Sequence, residues 1–298
     1  MLSILIPTYN CDLTNLVDVL QKQASKTALE YEIIVMDDAS PQKEMRVQNE
    51  RLNSVENCTY VIQKENLGRT ATRQNLALAA KYNNLLFLDA DVLPKHSNFI
   101  EKFDVLSSNW ELIFGGIAYK EEAPKPEEIL RWKYGKDRES ISLANRQSDP
   151  YLSVNSGAFL IKKEIFLVIN SELNFKVYGL DNLFKQLLFE KGVKITHIDN
   201  PVYHLGLENA TQFIRKSKES VKTTVDLEQQ NLIDYNLRPI QKAYLKIKKY
   251  RLTGTFKFFM KLLDAPIQRN FQSSNPSLTL FDLYRLSYYI ELKSKNDA

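Results

Sequence analysis

The sequence has few cysteines and no long hydrophobic run, and each shortage excludes a class of protein. Cys11 and Cys58 are the only cysteines among 298 residues. Two are too few for a disulfide framework, and they lack the spacing of a zinc site. No apolar run has the length of a membrane span, and residues 1–7 lack the features of a secretory signal. We therefore expect a globular cytoplasmic protein, and 44% hydrophobic residues supply a sizeable core.

Positive charge is concentrated in the last part of the chain, although the net charge of the whole is only +4. Residues 215–298 contain 16 Lys and Arg against 8 Asp and Glu, a net of +8, so residues 1–214 carry −4. Within this tail, residues 241–263 interleave basic side chains with Phe, Tyr, Leu and Met. Two alternatives stay open: peripheral contact with an anionic leaflet at the inner face of the cell membrane, or helices packed on the rest of the chain or on another subunit. No recognised nucleic-acid-binding fold accompanies the segment, so we expect no nucleic acid partner.

Short apolar runs alternate with segments of helical spacing near the start of the chain. The runs cover residues 2–6, 32–36, 59–62 and 85–88. Each ends in polar residues, which is typical of buried parallel strands. Helical spacing of apolar residues marks 13–23 and 70–82. The alternation predicts an α/β fold with a mostly parallel sheet flanked by helices.

The remainder is predicted more coarsely. We expect a loop-rich insertion at 121–150 with a short helix at 129–134, a strand at 151–161, a helix at 181–191, and a further strand within 194–204. Beyond Gly206 the chain becomes basic and helical. We predict a first domain over residues 1–214 and a helical extension over 215–298.

Polar residues that follow the predicted strands include Thr8, Asp38, Asp89 and Asp91. The carboxyl ends of parallel strands meet at one sheet edge, where ligands bind in open α/β sheets. The two carboxylates of Asp89-Ala90-Asp91 are able to hold a divalent cation that bridges a diphosphate, although a turn or a helix cap uses the same residues. Arg73, which follows a tight turn, either reaches a phosphate or base oxygen or forms a surface ion pair.

These segments occur in a specific order: Pro7-Thr8-Tyr9-Asn10, Asp37-Asp38-Ala39-Ser40, Asn66-Leu67-Gly68, Arg73-Gln74-Asn75 and Asp89-Ala90-Asp91. The order resembles that of the GT-A fold glycosyltransferases of family 2, over about residues 1–207. The resemblance implies a nucleotide diphosphate sugar bound at Pro7, Thr8, Asp38, Asn66, Gly68, Arg73 and Asp89. It also implies a divalent metal, Mn²⁺ or Mg²⁺, at Asp91, with His204 where some members supply a histidine ligand. Asn155, Ser156 and Gly157 match the segment that lines the donor sugar and acceptor.

The general base of the family matches Asp181. Where the family carries a Glu-Asp pair at a helix start, this chain has Leu180-Asp181. A carboxylate at a helix N-terminus stays ionised and is able to accept a proton from an acceptor hydroxyl, although helices also begin with Asp as a simple cap. His204 has a similar alternative as a structural histidine at a strand end.

The resemblance thus implies an inverting glycosyltransferase of polysaccharide biosynthesis, using a UDP-sugar and a carbohydrate or lipid-linked saccharide acceptor. The alternative is a non-catalytic nucleotide-sugar-binding module on the same fold, which Leu180 permits. A nucleotidyltransferase or a Rossmann dehydrogenase would need a glycine-rich loop after the first strand, and Pro7-Thr8-Tyr9-Asn10 is not one.

Overall fold

The protein is described by a computed structural model that covers residues 1–104, 110–151, 153–173 and 175–296. These residues form two compact units. The first unit comprises residues 1–119, 139–176 and 187–206, and the second comprises 120–138, 177–186 and the described residues from 207 onward. The domain boundary between residues 214 and 215 stays a prediction, and residues 297 and 298 of that extension lie outside the described part.

The first unit contains ten strands. They are β1 (Leu2–Thr8), β2 (Tyr31–Asp37), β3 (Cys58–Ile62), β4 (Asn84–Leu88), β5 (Val92–Pro94), β6 (Leu112–Phe114), β7 (Ile117–Ala118), β8 (Ala158–Lys162), β9 (Ile195–His197) and β10 (Val202–His204). Seven form a sheet in the order β3-β2-β1-β4-β8-β6-β9, and β5-β10-β7 form a second, smaller sheet. In the large sheet only β8 runs antiparallel to its neighbours. The predicted mostly parallel sheet is confirmed.

The α-helices of the described residues are α1 (Thr14–Ala24), α2 (Lys43–Glu50), α3 (Arg69–Ala79), α4 (Glu101–Asp104), α5 (Ile129–Tyr134), α6 (Leu143–Ser148), α7 (Lys163–Ser171), α8 (Asp181–Glu190), α9 (Ala210–Gln229), α10 (Pro239–Lys249), α11 (Thr253–Leu262), α12 (Asp264–Phe271) and α13 (Leu278–Asn296). The predicted helices at 13–23, 70–82, 129–134 and 181–191 correspond to α1, α3, α5 and α8. Gly192, at φ 64°, follows α8, as expected of a residue that ends a helix.

Burial explains why the first strands were recognisable. Every residue of β1 is buried, as are the last five of β2 and the last four of β4. Helices α1 and α3 bury one face each, through residues such as Leu16, Leu20 and Leu76. Buried strands between amphipathic helices give the alternation seen in the sequence.

Two predictions in the second half need correction. The strand expected at 151–161 begins only at Ala158, and residue 152 lies outside the described part. The amide of Gly157 donates to Oδ1 of Asn155 at 2.8 Å, so a side-chain turn stands at 155–157, where the strand was expected to continue. The segment 194–204 forms two strands rather than one: β9 joins the large sheet and β10 joins the small one.

The second unit is built from helices. Leu130 of α5 packs with Phe213, Ile267, Phe271 and Phe281. The insertion at 121–150 therefore contributes a helix to the core of the C-terminal helices. A buried carboxylate ties three of these helices together: Glu228 accepts hydrogen bonds from Gln241, Tyr289 and Lys293. Within the described residues, no helix is both long enough and apolar enough to cross a membrane.

Candidate functional site

A tight turn at residues 66–68 connects β3 to α3. Asp38, which follows the end of β2, holds this turn in place. Oδ1 of Asp38 accepts the backbone amide of Leu67 at 2.6 Å, and Oδ2 accepts that of Gly68 at 2.8 Å. Nδ2 of Asn66 donates a hydrogen bond to the carbonyl of Asp38 at 3.1 Å. Gly68 has φ 87°, a conformation that side chains disfavour. Asp38, Asn66 and Gly68, predicted together, do form one structure.

The carboxylate of Asp89 is held by two arginines of α3. Nη2 of Arg73 lies 2.8 Å from Oδ1 of Asp89, and Arg69 contacts Oδ2. Both guanidinium groups also reach the carbonyl of Ser156. The amide of Asp89 donates to the carbonyl of Gly157 at 2.8 Å, which brings the Asn155–Gly157 turn against the same carboxylate. Arg73 is almost fully buried, so its ion pair is fixed rather than a surface pair.

Asp91 faces a histidine rather than an arginine. Nε2 of His204 lies 3.4 Å from Oδ2 of Asp91. The antiparallel pairing of β5 with β10 brings the two residues together, and the amide of Leu205 donates to the carbonyl of Asp91 at 2.8 Å. A Cβ on Gly206 would lie 2.8 Å from Cβ of Asp91, so only glycine permits this close approach.

The electrostatic surroundings keep Asp91 ionised. Burial raises the pKa of this carboxyl, but the hydrogen bond and charge of His204 together with the charge of Arg69 outweigh it and hold the pKa below its usual value. Cys11 lies nearby, with its Sγ 3.5 Å from the carbonyl of Ala90. Burial, with the charges of Asp91 and Asp12, raises the pKa of the Cys11 thiol, so it stays protonated at neutral pH.

Two buried polar atoms at this edge have no hydrogen-bond partner: Oγ1 of Thr8 and Nδ1 of His204. A buried polar atom without a partner is costly, and a ligand that supplies one removes the cost. Thr8 is linked to the turn described above, because its carbonyl accepts the amide of Asp38 at 2.9 Å. The neighbouring Pro7 is buried in β1.

The residues fit a divalent cation that is shared with a ligand. Among the described residues there is no group of three or more His, Cys, Asp and Glu that would hold a metal alone. Asp91 offers an ionised carboxylate, and Nε2 of His204, which faces it at 3.4 Å, offers a ring nitrogen that a cation would bind in place of this contact. Both oxygens of Asp89 are already engaged by arginines. Phosphate oxygens would therefore complete the coordination around Asp91 and His204.

The predicted base lies in the second unit. Asp181 is the first residue of α8. Gly179, at φ 95°, precedes it, and a Cβ there would lie 2.7 Å from Oγ of Ser220 in α9. Asp181 also lies in the field of Arg238: burial and the nearby Arg285 lower the pKa of Arg238 to about 10, against the raising influence of Tyr134, Asp181 and Glu228.

Comparison with known proteins identifies the family of the chain. A model of the family described as glycosyl transferase family 2 matches residues 3–167, more than half of the chain. The chain belongs to this family. The glycosyltransferase is 38% identical over 94 residues to a chondroitin synthase of Escherichia coli. That match covers 31% of this chain but only 14% of the relative.

Two solved structures are similar to this glycosyltransferase, and the first of them supports its fold. A mannosyltransferase from Pyrobaculum calidifontis, in complex with GDP-Man and Mn²⁺, covers 99% of this chain and 86% of its own, with TM-score 0.53 and 14% identity. A crystal structure of S. aureus TarS covers 100% and 92%, with TM-score 0.49 and 15% identity. The mostly parallel central sheet with its flanking helices is similar to that of the GT-A glycosyltransferases.

Several residues of the site were missed by the sequence analysis. Arg69 lies four residues before Arg73 on α3, and this spacing, which places both on one helix face, was a usable signal. Gln63 donates to Oδ1 of Asp38 at 2.9 Å, and the ring of Tyr119 lies 5.7 Å from that of His204. No motif marks either residue, because their roles depend on tertiary packing.

Proposed function

We propose that this family 2 glycosyltransferase is an inverting enzyme that transfers a sugar from a UDP-sugar to a carbohydrate or lipid-linked saccharide acceptor. The observation that carries the proposal is the continuous set of contacts in the first unit. It runs from Thr8 through Asp38 and the 66–68 turn to Asp89, while Asp91 and His204 lie at the same sheet edge. A nucleotide and a diphosphate–metal group need this combination of polar and anionic groups in one place.

Each group has a proposed task. Thr8 and Asp38 contact the nucleoside, and Asp89, fixed by Arg69 and Arg73, contacts the ribose. Asn155, Ser156 and Gly157 line the donor sugar and the acceptor. Asp91 and His204 would hold Mn²⁺ or Mg²⁺, and the cation would neutralise negative charge on the diphosphate. A mannosyltransferase of the same fold was solved with Mn²⁺, which supports a divalent metal.

Asp181 is the proposed base. Its carboxylate removes the proton from the acceptor hydroxyl, whose oxygen forms the new bond to the anomeric carbon as the bond to the diphosphate breaks. One displacement of this kind inverts the anomeric centre. The electron pair of the broken bond stays with the nucleoside diphosphate, which leaves with the negative charge.

A panel of donors tests the proposal. Melting temperatures are measured with UDP, GDP and their sugars, with and without Mn²⁺ or Mg²⁺, because a ligand of the folded state stabilises it by mass action. We expect UDP with metal to give the largest shift. GDP is the informative competitor, since the mannosyltransferase neighbour binds GDP-Man. A larger shift with GDP would indicate a GDP-sugar as donor instead of a UDP-sugar. No shift with any nucleotide would contradict the proposal.

Transfer itself separates an enzyme from the alternative, a binding module without activity. The best donor is incubated with candidate saccharide acceptors, and the anomeric configuration of the product is read by nuclear magnetic resonance. Inversion is expected. A product that retains the donor configuration would contradict the single displacement at Asp181.

A further inference from the structure

Helix α11 presents an apolar surface to solvent in addition to the one it buries. The outer residues are Leu252, Phe258, Phe259, Leu262 and Leu263, which we call the α11 face. Phe258 is 65% exposed, Phe259 53% and Leu262 67%. On the other side of the helix, Met260 is buried among residues of the C-terminal helices and Phe256 packs against the same cluster.

Helical spacing makes the α11 face continuous. Phe258 and Leu262 are four residues apart, as are Phe259 and Leu263, so each pair lies one above the other. The rings of Phe258 and Phe259 touch edge to face, with centroids 5.7 Å apart. The sequence alternative in which this segment packs on its own chain would have buried both rings. A contiguous group of large exposed apolar side chains marks an interaction surface.

The charge around the α11 face is predominantly positive. Residues 241–263 contain seven Lys and Arg and no Asp or Glu. Lys246, Lys248, Lys249 and Arg251 are all exposed just before α11. Lys261 is exposed on the helix itself. Apart from the exposed Asp264 next to Leu263, the charged residues flanking the α11 face are cations, and an apolar surface of this charge is complementary to a layer that is anionic outside and apolar inside.

This charge argues against a second copy of the chain as the occupant. Two copies facing each other would bring both sets of positive charge together, with Asp264 compensating only a small part of them. Spanning a membrane is also not indicated, because α11 has ten residues, about 15 Å of helix, against about 30 Å of bilayer core. A helix that lies in the plane of the membrane interface does not need to span the bilayer and does not face a second positive surface.

We propose that the α11 face binds the surface of an anionic lipid bilayer. Phe258, Phe259 and Leu262 enter the boundary between head groups and acyl chains. Lys246, Lys248, Lys249, Arg251 and Lys261 contact the anionic head groups. The inference does not depend on sugar transfer, since it rests on the surface of the second unit alone.

Vesicle sedimentation tests it with the full chain. The vesicles are phosphatidylcholine alone, or phosphatidylcholine with phosphatidylglycerol, each at about 0.1 M and about 1 M salt. The wild type is expected to bind the anionic vesicles at low salt, more weakly at high salt, and the neutral vesicles least. Equal binding to neutral vesicles, or no binding to anionic ones at low salt, would overturn the proposal.

Two variants separate the apolar and the charged contributions. Phe258→Ser with Phe259→Ser should lower the vesicle partition coefficient by about tenfold or more. Replacing Lys246, Lys248, Lys249 and Arg251 with Gln should lower it by about two orders of magnitude at low salt. Melting temperatures should stay near that of the wild type, because all six side chains are exposed.

Matched controls place the same changes elsewhere. Leu78→Ser with Val168→Ser removes two exposed apolar residues of the first unit, and Gln at Lys22, Lys26, Lys43 and Arg51 removes four exposed charges. Both controls should bind vesicles as the wild type does. If they lose binding equally, the α11 face is not the site. Light scattering without vesicles gives a further check: a wild-type dimer that the Phe variant abolishes would assign the face to self-association and overturn the proposal.

Discussion

Nε2 of His204 lies 3.4 Å from Oδ2 of Asp91, although the two residues are far apart in the sequence. The pairing of β10 with β5 creates this contact. It leaves Nδ1 of His204 buried without a partner. In a neutral histidine one ring nitrogen donates and the other accepts, so a cation bound by Asp91 would take the lone pair of Nε2 while Nδ1 carries the proton.

His204→Ala should weaken the metal-dependent binding of a nucleoside diphosphate by about tenfold or more, because a nitrogen ligand is lost. Calorimetry with UDP in the presence of Mn²⁺ measures the affinity. His96→Ala is the matched control, since only the backbone carbonyl of His96 forms the hydrogen bond to Gln23. If His204→Ala binds like the wild type, the histidine is structural.

Gly206→Ala should displace Asp91, because the new Cβ would lie 2.8 Å from Cβ of Asp91. We expect metal-dependent nucleotide affinity to fall by about tenfold or more. Gly254→Ala is the control: its Cβ meets nothing within 4 Å, and alanine favours the helix by about 1 kcal/mol. That variant should bind nucleotide normally and melt no lower than the wild type. Normal affinity in Gly206→Ala would show that the loop adapts.

Arg73 and Arg69 should differ in their contribution to stability, although both pair with Asp89. The side chain of Arg73 is 8% exposed and that of Arg69 45%. Arg73→Ala breaks a buried ion pair and should lower the free energy of unfolding by about 3 kcal/mol. Arg69→Ala should lower it by less than about 1 kcal/mol. Urea denaturation of both variants measures the difference, and equal losses would contradict a buried, structural Arg73.

Asp181→Asn keeps the shape of the side chain and its ability to begin α8, but the amide does not accept a proton. Donor binding should survive while transfer falls by roughly 10²–10⁴-fold. Single-turnover transfer and nucleotide calorimetry on the same preparation separate the two effects. Asp226→Asn in α9 serves as the control for loss of one carboxylate in the second unit. Transfer at the wild-type rate would leave Asp181 as a cap alone.

The sequence was most informative where burial and chain order coincide. Strands β1, β2 and β4 were predicted to within two residues at each end, since they are apolar runs closed by polar residues. The order of motifs also predicted that Asp38 and Gly68 lie together, and the amide of Gly68 donates to the carboxylate of Asp38 in the structure. Parallel strands with short connections leave few alternatives for such neighbours.

Other features depend on packing that no local pattern encodes. Strand β8 begins only after the Asn155–Gly157 turn. A hydrogen bond marks this turn, and no change in hydropathy does. The division of 194–204 between two sheets follows from the partners of each strand. Likewise, the sequence shows that Phe258 and Phe259 are apolar but does not specify what covers them. Tyr244 and Met260 of the same segment are buried in the C-terminal helices, whereas the rings of Phe258 and Phe259 are exposed, so membrane contact of residues 241–263 stays a prediction.

Asp91→Ala tests the central claim most directly. Calorimetry with UDP is run on the wild type and the variant, each with Mn²⁺ and with a chelator, and Asp18→Ala, an exposed aspartate of α1, is the control. The wild type and the control should bind UDP more tightly with Mn²⁺ than with the chelator. Asp91→Ala should bind equally weakly under both conditions, because the cation loses its anionic ligand. Metal dependence that persists unchanged in Asp91→Ala would contradict a metal held at Asp91.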